Sequence, residues 1–321
     1  MSHRPHIVVL DGYTMNPGDL SWEPLQQLGR LTVYDRSAPE EVVSHSREAN
    51  ILLVNKVQLT RTVLEQLPRL SYIAVTATGY NNIDVDACAG LGIPVSNAVG
   101  YGSTSVAQHV FALLLTLTNR VQRHSESVKA GDWAAQSDFC YWLSPIVELN
   151  SLTLGIYGFG SIGQQVARIA QAYGMSVLAT HRHPERDAMP GVQFVELSTL
   201  FAQSDVISLN VPLSADNTGI VDARLLGIMK PTAYLINTAR GGLINEEDLA
   251  TALRQKTIAG AALDVLATEP AAADHPFYKL DNCVLTPHQA WASVASRQRL
   301  LDKTVEHVTS FLAGEVKGNL W

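Results

Sequence analysis

A glycine-rich stretch near the middle of the chain constrains the fold more than any other segment. The sequence Gly158-Phe-Gly-Ser-Ile-Gly163 follows an apolar run, Thr153–Tyr157, and precedes a segment with helical periodicity. This order predicts a buried strand, a tight turn and a helix, whose N-terminus offers N–H donors and partial positive charge to a dinucleotide pyrophosphate. Gly158 would permit the turn, Gly160 would let the backbone approach the phosphates, and Gly163 would let helix and strand pack closely. A purely structural turn is the alternative, and the flanking segments favour a cofactor.

The composition is that of an ordinary globular protein. A length of 321 residues accommodates two domains, and hydrophobic and charged residues make up 46% and 17% of the chain. The net charge of −7 and the lack of a basic run argue against a nucleic-acid partner. No apolar run reaches the ~18–20 residues of a membrane span, so no membrane association is expected. No signal peptide is recognised, which together with the cysteine pattern predicts the cytoplasm.

Three cysteines are spread widely along the chain, at Cys88, Cys140 and Cys283. An odd number at such distances forms neither a disulfide framework nor a zinc motif. We therefore expect free, buried thiols and no bound metal.

Apolar runs alternate with helical patterns on both sides of the glycine motif. Before it, strands are predicted at residues 6–10, 31–33, 51–54, 72–75 and 94–96, and helices at 39–49 and 60–67. After it, strands are predicted at residues 176–180, 205–210, 233–237, 258–263 and 283–286. Helices are predicted there at residues 197–203, 222–229 and 246–255, and a final helix to about residue 312 could return to cover the first sheet. This rhythm predicts an α/β protein with two Rossmann/flavodoxin-like, doubly wound parallel-sheet domains and a cleft between them.

Two segments between the predicted sheets have a distinct character. Residues 103–121 are expected to form one long helix that begins near Ser103 and leads from the first domain into the second. Residues 132–149 have no clear period but contain large aromatic side chains, among them Trp133, Phe139 and Trp142. We expect this arm to pack on a second subunit, because so much apolar surface is costly to leave in water. A loop folded back on its own domain is the alternative.

Three segments at predicted strand ends carry groups suited to acid–base chemistry beside a dinucleotide. Arg240, followed by two glycines that leave space around it, is a cation able to bind a carboxylate at two points. Asp264 and Glu269 follow the next strand, and His288 follows the one after that. A carboxylate beside an imidazole stabilises the protonated ring, so Glu269 and His288 could form an acid–base pair. Singly, these residues could equally be a surface ion pair, a helix-start charge and a buried histidine.

The motifs in their order resemble those of the D-isomer-specific 2-hydroxyacid dehydrogenase family over essentially the whole chain. The matching elements are Gly158-Phe-Gly-Ser-Ile-Gly163, Asn210-Val-Pro-Leu213, Asn237-Thr-Ala-Arg-Gly-Gly242, Asp264 with Glu269-Pro270, and Thr286-Pro-His288. The segments 9–19, 75–84 and 286–291 resemble the glycerate dehydrogenase (hydroxypyruvate reductase) branch. That branch more often has an aliphatic residue where Gln289 stands.

The resemblance implies a role for each matched residue. Arg240 would bind the substrate carboxylate and carbonyl, His288 would be the general acid and base, and Glu269 would orient and charge it. Thr78 and Gly79 match a loop whose backbone holds the substrate carboxylate, although the local sequence is equally consistent with a plain turn. Implied cofactor contacts are Gly158, Phe159, Gly160, Ser161, Ile162, Gly163, His181, Arg182, Val211, Pro212, Thr238, Ala239 and Asp264, the last to the nicotinamide carboxamide.

The resemblance also implies a domain organisation and an assembly. Residues 1–102 with 291–321 would form a discontinuous, flavodoxin-like substrate domain, and residues 103–290 the dinucleotide-binding Rossmann domain. A homodimer through the cofactor domain is expected, with the arm at residues 132–149 reaching across.

One departure from the usual pattern concerns the choice of cofactor. An NAD-preferring fold places an acidic residue ~20 residues beyond the first glycine, bonded to the ribose hydroxyls. Here His181 stands in its place, no acid there would repel a 2′-phosphate, and Arg182 could bind one. The sequence therefore predicts a preference for NADP(H), with NAD(H) as the alternative if the segment is merely a solvated basic turn.

The predicted reaction is the reduction of a small 2-oxo acid, such as hydroxypyruvate or glyoxylate, to the D-2-hydroxy acid, and its reverse. A D-lactate, formate or phosphite dehydrogenase of the same family is an alternative. A non-catalytic regulator that senses NAD(H) is another, and intact Arg240, Glu269 and His288 weigh against it.

Overall fold

Two separate parallel sheets organise the chain, which a computed structural model describes over residues 4–321. The strands are β1 (His6–Val9), β2 (Arg30–Val33), β3 (Ile51–Val54), β4 (Tyr72–Val75), β5 (Val95–Asn97), β6 (Thr153–Tyr157), β7 (Ser176–Thr180), β8 (Val192–Phe194), β9 (Val206–Leu209), β10 (Tyr234–Asn237), β11 (Gly260–Leu263) and β12 (Cys283–Leu285). The helices are α1 (Glu23–Leu28), α2 (Val42–Ser46), α3 (Arg61–Leu64), α4 (Val85–Leu91), α5 (Ser103–Asn119), α6 (Val121–Lys129), α7 (Ser161–Ala172), α8 (Leu197–Gln203), α9 (Ala223–Gly227), α10 (Glu246–Arg254) and α11 (Val294–Leu312). The chain divides into two compact units, one formed by the described part of residues 1–102 with residues 291–321, the other by residues 103–290.

The first unit is a five-stranded parallel sheet with the order β2-β1-β3-β4-β5. Its central strands β3 and β4 are buried along their whole length, because apolar side chains pack on both faces. Helix α11 covers one face, where Phe311 stacks on Tyr72 with ring centroids 4.4 Å apart. The return of the final helix to the first sheet is thus confirmed.

The second unit is a seven-stranded parallel sheet with the order β12-β11-β10-β9-β6-β7-β8. The strand order reverses beside β6, which is the position where open α/β sheets bind ligands at the carboxyl ends of their strands. The predicted class, two doubly wound parallel-sheet domains, is confirmed in both units. No helix among residues 4–321 is both long and apolar enough to cross a bilayer.

Several predicted element boundaries were wrong. The expected helix over residues 103–121 ends at Asn119, because Arg120 adopts a left-handed conformation with a φ of 48°, and α6 begins directly after it. Helices α2 and α3 are shorter than their periodic patterns, because i→i+3 bonds such as that from the Leu67 N–H to the Leu64 carbonyl tighten their ends. Helices α1 and α4 and the short edge strand β8 were not predicted.

The aromatic arm contains no helix or strand between residues 132 and 149, and every residue from 131 to 140 is exposed. Trp133, Phe139 and Trp142 are 50%, 88% and 67% exposed. Cys140 lies in this stretch and is exposed, so the expectation of buried thiols is wrong for it. Cys88 is buried and Cys283 half-buried, and burial raises their thiol pKa values to about 11 and about 12.

Candidate active site

The predicted catalytic and cofactor residues of the second unit gather at one edge of its sheet. Arg240, Glu269 and His288 follow β10, β11 and β12, which are adjacent strands, and the glycine turn follows β6. Because all strands are parallel, their carboxyl ends share an edge. The sheet topology therefore brings together groups that lie far apart in the sequence.

The three glycines of the turn between β6 and α7 occupy three different environments. Gly158 has a φ of +98°, and a Cβ there would lie 2.6 Å from Val211 Cγ1 and 2.8 Å from the main chain of Asn210. A Cβ on Gly163 would lie 2.3 Å from the Gly158 carbonyl oxygen, whereas one on Gly160 would meet nothing within 4 Å. Gly158 and Gly163 thus permit the turn and the close packing of helix on strand, and Gly160 borders open space.

The start of α7 is suited to an anion. No side chain of the described residues caps the helix at Gly160, Ser161 is exposed and Ile162 is half-buried, while Phe159 is buried beneath them. The uncapped N–H groups and the helix dipole are therefore available to a phosphate.

Two buried polar atoms at the ends of neighbouring strands lack a protein partner. Asn210 follows β9 and Thr238 follows β10, and within residues 4–321 neither Asn210 Oδ1 nor Thr238 Oγ1 has a hydrogen-bond partner. The predicted contacts Val211, Pro212 and Ala239 lie next to them in the chain. Buried polar atoms are almost always satisfied, so these atoms point to a ligand. Together with the open space at Gly160, they fit a bound dinucleotide.

His181, the residue in place of the usual acid, is held by the protein through both ring nitrogens. The Phe159 N–H donates to His181 Nδ1 over 3.3 Å, and His181 Nε2 lies 2.7 Å from Asp187 Oδ2. Because Nδ1 accepts a hydrogen bond, this network assigns the ring proton to Nε2, which donates to Asp187. His181 thereby ties the glycine turn to the segment after β7, and its direct contact with a cofactor stays a prediction.

The expectation that no acid lies near this position is wrong. Asp187 is six residues beyond His181, and the turn of the chain brings its carboxylate to the imidazole. Hydrogen bonds from Arg186 and His181 lower the pKa of Asp187 to about 2, so it is ionised at neutral pH. Arg186 Nη2 lies 2.6 Å from it and offsets the charge, while Arg182 is exposed.

Asp264 is a buried anchor for the segment that carries the predicted general acid. Its Oδ1 accepts hydrogen bonds from Thr286 Oγ1 at 2.6 Å and from the Gln289 N–H at 2.9 Å, and its Oδ2 accepts one from the Ala290 N–H at 2.9 Å. His109 Nε2 lies 3.0 Å from Thr286 Oγ1 and 3.4 Å from Asp264 Oδ1. Burial alone would raise the pKa of Asp264, but these hydrogen bonds outweigh it and hold the pKa below its usual range. The predicted contact of Asp264 with a nicotinamide carboxamide stays a prediction.

His288 and Glu269 form a direct pair. His288 Nδ1 lies 2.6 Å from Glu269 Oε2, and Glu269 Oε1 accepts a hydrogen bond from the Leu266 N–H at 3.0 Å. His288 has a φ of 53°, a conformation that is uncommon for a residue with a side chain, and its N–H donates to the Asp264 carbonyl. The hydrogen bond to Asp264 therefore fixes the backbone of His288 in an uncommon conformation, and this conformation sets the position from which the imidazole projects.

Arg240 precedes a backbone crossing that only glycine allows. A Cβ on Gly241 would lie 1.9 Å from the carbonyl carbon of Leu266, and one on Gly242 would lie 2.9 Å from the Leu213 side chain. Both glycines are thus closely packed against other segments, and the space that they were expected to leave around Arg240 stays a prediction. Their packing brings the segment after β10 against the segment that carries Glu269.

In the first unit, the loop after β4 carries Thr78 and Gly79. Thr78 Oγ1 donates to the Ala98 carbonyl over 2.9 Å, and the Asn97 side-chain amide donates to the Thr78 carbonyl over 2.5 Å. The loop is thus tied to the end of β5. The substrate contacts expected of Thr78 and Gly79 stay predictions.

Sequence reasoning missed residues that contact the predicted site residues or the segments that carry them. Asp187 and His109 belong to the networks above, Glu246 accepts a hydrogen bond from the Ala267 N–H in the Glu269 segment, and His275 contacts Glu246. Glu246 follows Asn245, a recognisable helix cap, but no motif indicates where the Glu246 side chain points. The contacts of all four residues depend on the tertiary fold, which the spacing of residues in the sequence does not reveal.

Comparison with known proteins places the chain in one family. Residues 111–290 match the model for the D-isomer specific 2-hydroxyacid dehydrogenase, NAD binding domain. The chain is 43% identical to a hydroxypyruvate reductase of Blautia hydrogenotrophica, over 96% of this chain and 97% of that protein, and 42% identical to a glycerate dehydrogenase of Methylorubrum extorquens, over 86% and 87%. A solved structure of an acyclic imino acid reductase in complex with NADPH and D-Arg aligns with a TM-score of 0.87 at 33% identity, covering 98% of this chain and 100% of that one. The resemblance seen in the sequence motifs is confirmed: the protein is an oxidoreductase that belongs to the D-isomer-specific 2-hydroxyacid dehydrogenase family.

Proposed function

We propose that the protein reduces a small 2-oxo acid, hydroxypyruvate or glyoxylate, to the D-2-hydroxy acid with NAD(P)H, and catalyses the reverse oxidation. The observation that carries this proposal is the His288–Glu269 pair, with Nδ1 and Oε2 2.6 Å apart at the carboxyl edge of the sheet. Arg240 follows the strand next to the one that precedes Glu269. The names of the two relatives support the substrate class.

Each of the three side chains has a separate task in this reaction. The nicotinamide, when bound, supplies or accepts the hydride. His288 donates a proton from Nε2 to the carbonyl oxygen during reduction and takes it back during oxidation. Glu269 stabilises the protonated imidazole through Nδ1 and fixes the ring orientation. Arg240 binds the carboxylate and withdraws electron density from the carbonyl group.

Initial rates with hydroxypyruvate, glyoxylate and pyruvate, each with NADPH and NADH, test the reaction. We expect turnover with hydroxypyruvate or glyoxylate to exceed turnover with pyruvate. His288→Ala should lower kcat for reduction by roughly 10²–10⁴-fold, as expected for the loss of a general acid. The exposed residue His183 supplies a control, and His183→Ala should leave kcat unchanged. Near-normal turnover of His288→Ala would reject its role, and no turnover of any 2-oxo acid would reject the function.

We further propose a preference for NADP(H), with the exposed Arg182 as the partner of the 2′-phosphate. The related NADPH-bound reductase supports this choice. Asp187 opposes it with a negative charge that Arg186 partly offsets. Arg182→Ala should raise KM for NADPH and leave KM for NADH unchanged, whereas Arg224→Ala, which removes an exposed arginine of α9, should change neither. A lower KM for NADH than for NADPH in the unaltered enzyme would contradict the preference.

We also propose a homodimer in which the aromatic arm at residues 132–149 packs on the partner. Phe139, Trp142 and Ile146 are 88%, 67% and 60% exposed, an amount of apolar surface that is costly in water. Sedimentation equilibrium should give twice the chain mass, and Phe139→Ser with Trp142→Ser should reduce it towards the single chain. A monomer over micromolar concentrations would refute the assembly.

A further inference from the structure

Glu246 makes contacts that its position at a helix start does not require. It is the first residue of α10, and Asn245 already caps this helix, with its side chain accepting from the Asp248 N–H. The Glu246 carboxylate instead points to another segment of the second unit: Oε1 accepts a hydrogen bond from the Ala267 N–H over 2.8 Å, and Oε2 lies 3.3 Å from His275 Nε2. The Glu246 side chain is 24% exposed, so these contacts are partly shielded from water.

Ala267 belongs to the short segment that positions the Glu269 carboxylate. The preceding N–H, that of Leu266, donates to Glu269 Oε1, while Glu269 Oε2 faces His288. The direction of the Glu269 carboxylate therefore depends on the backbone at residues 266 and 267. This backbone packs closely against Gly241, and Glu246 accepts a hydrogen bond from the Ala267 N–H.

Two other acidic residues in the first turn of α10 show whether the role of Glu246 is only to interact with the helix dipole. Glu246, Glu247 and Asp248 all lie there, and each can interact with the helix dipole. Glu247 is exposed, and Asp248 Oδ2 accepts from the Ala223 N–H instead. Among the residues that the structure describes, the hydrogen bond to Ala267 is made by Glu246 alone.

We propose that Glu246 is a positioning residue for the reaction, which holds Glu269 against His288 through the Ala267 N–H and is itself held by His275. This inference rests on the proposed function. The hydrogen bond from the Ala267 N–H joins Glu246 to the backbone that holds Glu269, so its effect on the pair passes through that backbone. A shift of this backbone would change how the imidazole is oriented and therefore the rate of proton transfer.

The test compares Glu246→Ala, Glu246→Gln and Glu247→Ala in the full-length enzyme. Glu246→Ala should lower kcat by about 10–100-fold, as expected for a misplaced catalytic group, with KM for the cofactor unchanged. Glu246→Gln should restore most of the rate, because its amide oxygen can still accept from the Ala267 N–H. Glu247→Ala should behave like the unaltered enzyme. Equal losses in the alanine and glutamine variants of Glu246, or unchanged kcat in Glu246→Ala, would overturn the proposal.

A spectroscopic measurement separates this inference from the proposed reaction. The ring ¹⁵N signals of His288, assigned by their loss in His288→Ala, report its contact with Glu269 without any turnover. At a fixed pH, Glu246→Ala should shift these signals in the same direction as Glu269→Gln, and Glu247→Ala should not. Unchanged signals in Glu246→Ala would overturn the positioning role even if the enzyme is active. A shift without turnover of any 2-oxo acid would support it while rejecting the proposed function.

Discussion

Replacement of Asp264 by asparagine tests the network beneath the His288 segment, because it changes charge with almost no change in shape. The residue is 1% exposed, and both carboxylate oxygens accept hydrogen bonds. The least disruptive orientation of the amide keeps its oxygen towards Thr286 and Gln289. Its NH₂ group then faces the buried Ala290 N–H, so that two donors oppose each other.

The expected cost follows from counting these bonds. The unsatisfied Ala290 N–H costs about 1–3 kcal/mol. The bonds from Thr286 and from the Gln289 N–H lose their charged acceptor, at about 1 kcal/mol each. We therefore expect Asp264→Asn to lower the free energy of unfolding by about 3–5 kcal/mol at pH 7.

Urea denaturation followed by circular dichroism measures this loss, with Asp281→Asn as the control because Asp281 is exposed. Because the folded-state pKa of Asp264 lies below its unfolded value of about 3.9, the ionised carboxylate stabilises the fold fully above that pH. Its contribution is lost as the pH falls through the folded-state pKa, so the difference between the two proteins should shrink below about pH 4. A loss of less than about 1 kcal/mol at pH 7, or a difference that grows in acid, would refute the reasoning.

Two further substitutions test the geometry of the site. Gly241→Ala places a Cβ where the backbone after β11 already lies, and should lower kcat by at least about 10²-fold or prevent folding. Gly227→Ala, whose Cβ would meet nothing within 4 Å, should leave the rate and thermal midpoint close to those of the unaltered enzyme, and similar behaviour of the two variants would contradict the packing argument. Glu269→Gln replaces the hydrogen-bond partner that orients the His288 imidazole, so it should lower kcat for reduction by about 10-fold or more. An unchanged kcat in Glu269→Gln would count against the pair.

The sequence predicts strands far better than the limits of helices in this protein. Strands β3 and β4 are continuous apolar runs because both of their faces are covered, and such runs are visible without a structure. The end of α5 is not visible, because Arg120 adopts a positive φ that neither its residue type nor its neighbours indicate. Strand β8 has only three residues, none of them fully buried, so its apolar pattern is too short to recognise.

The same distinction separates the site residues that motifs identify from those that they miss. Arg240, Glu269 and His288 follow consecutive strands, and a parallel sheet must bring the carboxyl ends of adjacent strands to one edge whatever the length of the connections. The topology of the sheet places no such constraint on the residues that position Glu269 and His288. Asp264, directly after β11, accepts hydrogen bonds from the backbone of the His288 segment, whereas Glu246, at the start of α10, accepts one from the Ala267 N–H.

The position of Asp187 shows why cofactor preference is hard to infer from an offset in the sequence. Counting from the glycine turn to the end of β7 finds His181 and no acid, yet the carboxylate of Asp187 lies 2.7 Å from that imidazole. Charge acts through space, so an acid that returns after a turn repels a 2′-phosphate as one at the expected position does, unless a cation offsets its charge. Arg186 does so here, which leaves the balance between repulsion by Asp187 and attraction by Arg182 to decide the affinity for a 2′-phosphate. Asp187→Asn removes the negative charge and keeps an oxygen that can accept from His181 and Arg186, so it should lower KM for NADPH without changing KM for NADH. A rise in KM for NADPH would show instead that the Asp187 carboxylate is needed to place the cations.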